Sequence, residues 1–593
     1  MSGGGASGTF APAALPLLLL ALGLAPLRLD ARALERTAPP DTAGAAPADT
    51  TRGARAIAPA DTTRWPEPGD VAGEWLAGWF AATAGRRDSL LDVRSELARG
   101  YADRWYRRWW SSGDWPRPQA ARMVAALRGA TAHGIDPSQY DPDDLARRLA
   151  RMSPPWAPPT PAELARFDLL LSTAASRYAV ALAGGRVPPR IPHPSLRNRV
   201  IRVDRAALLD SLAGANDPAA VLESLAPRST EYRRLQRALA DYHSPVVDSA
   251  LARLARRPRP LQFADRTPDA AGLRLALWRA GGMSDSIHSL AHRDSLVSRA
   301  MMRAARVIAH RDTFPYVGTL DSVLAASLRR DLEQRRRVVV LALERQRWFT
   351  RDPAIPPIVV NIPSFEMSYW RGVTADSGTV MHMRVCVGGA DSTQTPPLSD
   401  RLYAVVFRPN WNIPKSIMLK EIKPKALADS TYLAKNRYEL VKGNKVLPVT
   451  AANIDAIGVT VRVRQKSGEG NALGDIKFAL SNSEAIYMHD TPMRAPFHLA
   501  RRDVSHGCVR LQDARTLARY LLRDDPEWPP ERILAATKAD TSTIVTLAAS
   551  IPVEIVYWTA LTRPGGGVDF LPDIYHHDDP LDSLMHLRYP LPR

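Results

Sequence analysis

"RRDVSHGCVRL", residues 501–511, is the stretch on which the reading of this chain turns. Its Cys508 is one of only two cysteines in 593 residues, and it stands beside a histidine, a glycine and an arginine. "CVRL" reads as a strand. "DARTLARYLL" then reads as a helix, with Ala514, Leu517, Ala518, Leu521 and Leu522 on its apolar side and Asp513 as its N-cap. The thiol therefore falls at a strand–helix junction. A free thiol has a pKa of about 8.5 and is mostly protonated near neutrality, so a nucleophilic cysteine needs a base, positive potential and donors for an oxyanion. Each has a candidate. His506 and His489 both offer imidazole, and Arg501, Arg502 and Arg510 add positive charge. Glycine allows close backbone approach, so the amides of Gly507 and Cys508 can face an oxyanion. "AIYMHD" reads as a strand ending on His489, with Asp490 placed to fix the ring tautomer through backbone or side chain. Strand alternation sets Tyr487 on the side away from Met488. An extended His506 would point the same way as Cys508, so spacing alone leaves both histidines open as the base.

Outward from this stretch, residues 357–580 have a strand texture: "IVVNIP", "VMHMRVCVGG", "LYAVVF", "GVTVRVRQ", "IKFAL" and "VEIVYWTAL" are short, rich in Val and Ile, and divided by Gly, Pro and Asn. In "GVTVRVRQ", Val459, Val461 and Val463 alternate with polar residues, one face in and one out. A helical and loop insertion at about 410–440 is expected to cap the sheet, with Trp411 covering substrate or anchoring the cap. Cys386 sits in an alternating run, where a buried, inert thiol is expected, and both cysteines read as free.

The N-terminal half has helical spacing. Residues 73–245 read as a helical scaffold whose tryptophans (Trp75, Trp79, Trp105, Trp109, Trp110) form an aromatic core, and 246–350 as a second helical region and connector. There Leu320, Leu324, Leu328 and Leu332 share one helix side, and the arginine run beside them reads as a solvated face. Residues 1–33 read as a signal peptide, 34–72 as a flexible linker rich in Ala, Pro and Thr, and 581–593 as a tail. The fold class expected is thus multidomain α+β: a helical N-terminal half and a mainly-β, sandwich- or barrel-like domain with a capping insertion. The formal charge of +18 favours anionic surroundings, but no zinc-finger spacing or phosphate-binding glycine loop supports a nucleic-acid partner. The leader implies export to the periplasm or cell envelope, with a membrane tether only through an uncleaved N-terminus.

"HDTPMRAPFHLARRDVSHGCVRL" resembles the signature of the L,D-transpeptidases, in which a histidine precedes Ser-His-Gly-Cys by fewer than twenty residues and an Arg or Asn follows two beyond. "RVCVGGADSTQTPPLSDRLYAVVFRPNWNIPKSI" and "GEGNALGDIKF" resemble the large multidomain murein members, and "HGIDPSQY" and "ALAGGRVPPR" their scaffold domain. The resemblance implies His489 as general base, Cys508 as the acylated nucleophile, and Ser505, His506, Gly507 and Arg510 as supporting site residues. It implies attack on a tetrapeptide stem, release of terminal D-Ala, and transfer to a side-chain amine in a 3→3 cross-link, with no cofactor. Substrate carboxylates would pair with Arg494 or Arg510, and carbapenems would acylate the thiol. The family's small peptidoglycan-binding module is only faintly echoed at 260–335 by "LRLALWRAGG". Three rivals stand beside this reading. Water in place of the amine would make an L,D-carboxypeptidase, and a non-catalytic wall-binding protein would not need the thiol. A zinc site from His489, His498, His506 and Cys508 lacks a familiar spacing.

Overall fold

The computed structural model describes residues 66, 69–84, 94–196, 203–284, 295–349, 356–370, 379–429, 431–563, 567–588 and 591. The leader expected over 1–33 and nearly all of the linker expected over 34–72 lie outside them. At the linker's end Asp70 already acts as a cap, accepting the Gly73 N–H at 3.0 Å at the start of helix Val71–Ala82.

The helical half is built around helix α1 (Pro161–Gly184), which is apolar on nearly every side and runs through the middle of its bundle. A capping box starts it. Thr160 Oγ1 accepts the Glu163 N–H at 3.3 Å, and Glu163 Oε2 accepts the Thr160 N–H at 2.8 Å. Trp109 and Trp110 are buried against it, their backbone N–H groups donating to the carboxylate of buried Asp168 at 3.1 and 2.6 Å. Trp75 and Trp79 pack at the edge of that core, and Trp105 is exposed.

Helices α2 (Thr230–Tyr242) and α3 (Ala270–Arg279) are followed by α4, which runs 27 residues from Ser322 to Trp348. Leu324, Leu328 and Leu332 on its first turns, with Leu320 just before it, enter one apolar core shared with α3. The arginine run expected to be solvated is only partly so. Arg329 and Arg330 are exposed, whereas Arg345 and Arg347, further along, are buried.

Among the described residues, nine strands make the main sheet of the C-terminal domain: β1 (Ile358–Asn361), β2 (Glu366–Trp370), β3 (Thr379–Gly388), β4 (Leu398–Phe407), β5 (Ile476–Leu480), β6 (Met488–His489), β7 (Asp503–Ser505), β8 (Val509–Leu511) and β9 (Thr543–Val556). They pair in the order β7-β3-β8-β6-β5-β4-β9-β1-β2, and β2 pairs back onto β3, closing a barrel. Alternate residues fill its interior, among them Val385, Val387, Phe478, Met488, Val509 and Val553. The helix after β8, Ala514–Leu521, plugs the same core with Ala514, Leu517 and Ala518.

Between β4 and β5 the chain leaves the barrel to form a second body. Trp411–Asn412, Arg462–Gln465, Tyr438–Lys442 and Lys445–Leu447 pair in that order as a separate four-stranded sheet, packed with short helices around Ile417, Met418, Leu433, Leu440 and Val463. The cap therefore runs to Lys466, whose ammonium pairs with Glu439 at 3.1 Å, beyond the expected 440. Val461 and Val463 enter the cap's core, while Val459 is 84% exposed in a turn before the strand. Alternation reveals a half-buried strand but not the sheet that buries it. Eight of the chain's ten lysines lie here (Lys415, Lys420, Lys423, Lys425, Lys435, Lys442, Lys445 and Lys466).

Part of the expected tail is structural: in helix Asp578–His586, Leu581 and Met585 pack on Val187, Leu341 and Trp348 of the helical half. Charges are buried at the same joint. Arg347 donates to Glu344 at 2.5 Å, to the His133 carbonyl at 2.8 Å and to the Tyr232 hydroxyl at 3.1 Å. Glu344 Oε1 also accepts the Val187 N–H at 2.7 Å, and Arg345 reaches Asp578 at 2.5 Å. Such pairs add little net stability, but removing one partner strands the other in a dry interior. Glu344→Ala should therefore cost about 3–5 kcal/mol in denaturant unfolding, far more than loss of the exposed pair Arg128–Asp143, which should cost under about 1 kcal/mol.

Candidate active site

Strand register assembles this site. β6 and β8 run parallel with His489 opposite Arg510, and the Val509 N–H donates to the Tyr487 carbonyl at 3.1 Å. β5 runs antiparallel to β6 with Lys477 opposite His489. Residues opposite one another share a sheet face, as do residues two apart. Phe478, Met488 and Val509 point into the barrel, so Lys477, Tyr487, His489, Cys508 and Arg510 are set together on the other face. Cys386, opposite Arg510 on β3, is wholly buried there, and both cysteines are free thiols.

The turn into Cys508 is clamped by hydroxyls. Ser505 Oγ donates to the Cys508 carbonyl at 2.6 Å and accepts the Gly507 N–H at 3.1 Å. Thr395 Oγ1 donates to the Gly507 carbonyl at 2.7 Å, and Thr393 Oγ1 to the Ser505 carbonyl at 3.0 Å. Gly507 has φ +114°, a conformation open to glycine and strained for any L side chain. Two expectations change here. The Gly507 amide is engaged by Ser505, which leaves the Cys508 N–H, without a hydrogen-bond partner among the described residues, as the candidate oxyanion donor. The left-handed glycine also breaks the extended run that was to aim His506 alongside Cys508. His506 Nε2 instead meets Glu421 of the cap at 2.8 Å.

Burial pushes the half-buried Cys508 thiol above its ordinary range. The Tyr487 amide and hydroxyl, Lys477 and Arg510 pull in the opposite direction without overcoming it. The thiol donates to the Ala485 carbonyl at 3.8 Å. Tyr487, whose own acidity burial suppresses, hydrogen-bonds Cys508 and also the Trp411 side chain, so the cap touches the sulfur through one phenol. Lys477 Nζ lies 4.1 Å from the centre of the Tyr487 ring. Burial draws the ammonium's pKa down, and the sulfur draws it up.

His489 is buried, and desolvation, aided by Arg510 and Lys477, lowers its pKa to about 3. It is neutral across the physiological range. Its Nδ1 lies 2.5 Å from the Asp490 carbonyl, and the Leu473 carbonyl also hydrogen-bonds the ring. The tautomer is thus tied by Asp490's backbone. Its carboxylate is spent elsewhere, accepting the Asp475 N–H at 3.0 Å and Arg494 at 2.6 Å. Arg494 also donates to the Gln512 carbonyl at 2.8 Å, so this half-exposed guanidinium, expected to hold substrate, also links Asp490 to the chain beyond β8. Arg510 has no ion pair among the described residues; burial pulls its pKa down, against the two sulfurs of Cys386 and Cys508. No hydrogen bond joins His489 to Cys508 among the described residues. Lys477, Thr393 and Thr395 lie in stretches that resemble the family but were not singled out as site residues; strand register and loop position bring them here. Among the described residues, no group of three or more His, Cys, Asp and Glu side chains is placed to hold a metal ion.

Two domain families match this chain. Residues 356–543 match the L,D-transpeptidase catalytic domain, and residues 95–239 match a family described as the Scaffold domain. A Haemophilus influenzae protein, provisionally named an L,D-transpeptidase, is 36% identical over 244 residues, which cover 40% of this chain and 48% of that protein. The chain thus spans about half the length of this relative.

Thiol reactivity tests the electrostatics. Alkylation of Cys508 by iodoacetamide should rise with pH through an apparent pKa above that of a free thiol. Tyr487→Phe and Lys477→Met, each removing a group that favours the thiolate, should move that midpoint upward again. A midpoint near 6, or one unmoved by either change, would overturn this account.

Proposed function

With an L,D-transpeptidase catalytic domain at residues 356–543 and a scaffold domain at 95–239 as premise, we propose that the chain cross-links peptidoglycan in the cell envelope through a Cys508 acyl-enzyme. The observation that carries this reading is the single sheet face on which Cys508, His489, Tyr487, Lys477 and Arg510 meet. A thiol and an imidazole that are both neutral at rest favour proton transfer coupled to attack over a preformed ion pair.

On substrate binding the thiol turns from the Ala485 carbonyl toward the imidazole. Its proton passes to His489, directly or through one water, as the sulfur attacks the carbonyl that precedes the terminal D-Ala. Tyr487, Lys477 and Arg510 stabilise the charge developing at sulfur, and the Cys508 N–H meets the oxyanion. The imidazolium then protonates the departing amine, D-Ala leaves, and a thioester remains. A side-chain amine of a second stem, deprotonated by His489, attacks the thioester, forms the amide and regenerates the thiol. Trp411 holds Tyr487 from above, which ties cap position to the polarity around sulfur.

Incubation of the purified protein with a disaccharide-tetrapeptide should give D-Ala, a thioester on Cys508 and a cross-linked dimer by mass spectrometry. A carbapenem should leave one adduct on Cys508 and none on buried Cys386. Cys508→Ala should abolish all of these, and His489→Ala should lower the rate by about 100- to 10,000-fold. Tripeptide without dimer would convert the assignment to a carboxypeptidase. Full activity of Cys508→Ala would end it.

A further inference from the structure

Two contacts, Trp411 with Tyr487 and Glu421 with His506, turn one side of the cap toward the barrel. Another side stays open to solvent with the whole chain in place. Residues 411–466 hold eight lysines and three arginines against four carboxylates, a surplus of seven positive charges. Three of those carboxylates are already engaged: Glu421 by His506, Asp429 by Lys435 at 3.2 Å, and Glu439 by Arg464 and Lys466 at 2.6 and 3.1 Å. Lys415, Lys420, Lys425, Lys442 and Lys445 are exposed and form no ion pair among the described residues.

Aliphatic side chains stand among these cations. Lys415–Ile417, Met418–Ile422 and Lys423–Ala428 run on as one helical segment, residues 415–428. Ile417, Met418, Ile422 and Ala426 take one side of it into the cap core. Steps of four carry Lys415, Leu419, Lys423 and Leu427 along a different side, so leucine and lysine alternate there. Leu419 is 39% exposed and Leu427 55%. Val459, 84% exposed, follows Gly458, where a β-carbon would stand only 2.5 Å from Leu419 Cδ2, so turn and helix bring their aliphatic groups next to one another. Lys423 Nζ donates to the Asp455 carbonyl at 2.5 Å and pins the segment to helix Ala451–Asp455. The face is preformed.

Charge and apolar surface together select the occupant. Leucines flanked by ammonium groups match the surface of an anionic bilayer: the aliphatic groups enter the headgroup layer, the cations meet phosphates, and long lysine stems keep charge at headgroup level while their methylenes cover apolar surface. Other partners match only half of this. A soluble polyanion or an acidic wall polymer would use the charge and leave Leu419, Leu427 and Val459 in water. Protein interfaces are depleted in lysine and favour arginine and aromatic anchors. A second copy of the cap would set like charges against each other. Among the described residues no helix is long and apolar enough to cross a membrane, so such a contact lies on the bilayer and not through it.

We propose that this outward face of residues 415–428, extended by Val459, docks the cap on an anionic lipid surface, with Leu419 and Leu427 entering the headgroup layer and Lys415 and Lys420 contacting lipid phosphates. Docking there would hold the cap, and with it the Trp411 and Glu421 contacts to the barrel, at a membrane.

Flotation of the full-length protein with vesicles tests this, using phosphatidylcholine alone and phosphatidylcholine mixed equally with phosphatidylglycerol. The protein should float with the anionic vesicles, more weakly as salt rises, and far less with the neutral ones. Residues 1–33 are present in every sample, so double variants isolate the cap. Lys415→Gln with Lys420→Gln should weaken binding about tenfold or more. Leu419→Ser with Leu427→Ser should weaken it about tenfold. All four positions are exposed, and an unchanged thermal midpoint confirms that both variants fold. Cys508→Ala should bind as the wild type does, so this test and that of the acyl-enzyme fail separately. Equal flotation with neutral and anionic vesicles, or wild-type affinity in the lysine variant, overturns the proposal. Loss in the lysine variant with none in the leucine variant also overturns it, and would make the face a site for soluble polyanions.

Discussion

A parallel register between two very short strands is the constraint on which the site depends. Met488–His489 and Val509–Leu511 hold only a few ladder bonds between them, yet they decide which side chains meet. A slip by one residue would turn Met488 and Val509 outward and drive His489 and Arg510 into the barrel, exchanging apolar filling for buried charge. The interior therefore enforces the exterior: Phe478, Met488 and Val509 cannot leave the core without burying their polar neighbours. The hydroxyl clamps at Ser505, Thr393 and Thr395 complete this logic by fixing the turn into the sulfur, which no ladder holds.

The same burial that orders these groups sets their chemistry. Desolvation favours the neutral form of both partners, raising the thiol and lowering the imidazole, so the resting site stores no charge separation. Under the proposed function, the cations around it are disposed for a state that exists only during reaction. Lys477 rests on the face of Tyr487 with no carboxylate to neutralise it among the described residues, and Arg510 has no ion pair there. Preorganised positive potential of this kind acts on charge as it develops.

Much of this was legible in the sequence, and the failures have physical causes. Periodicity separated a helical half from a β half, and Cys508 with its upstream histidine stood out because thiols are so rare in the chain. Asp513 does cap the helix after Cys508, accepting the Thr516 N–H at 3.0 Å. Spacing could not foresee that Gly507 would adopt positive φ, and with it His506 turned to Glu421 and the glycine's amide to Ser505. The i,i+4 pairing of Arg494 with Asp490 was not read from the sequence, because Asp490 was assigned to the histidine instead. Lys477 lies in a stretch that resembles the family, but only the strand register that sets it opposite His489 shows its place in the site. The barrel's closure through β2 and β3 and the cap's separate sheet are likewise properties of pairing that a run of Val and Ile does not encode.

The uneven use of the two basic residues has a practical corollary. The helical half and the barrel take nearly all their positive charge from guanidinium groups, whereas side-chain amines are concentrated on the cap. Only Lys477 and Lys538 lie outside it. A reagent selective for amines would therefore write its label on one body of the protein and leave the rest almost blank. Cap displacement could be followed by a dye attached there, with no cysteine introduced and the reactive sulfur left untouched.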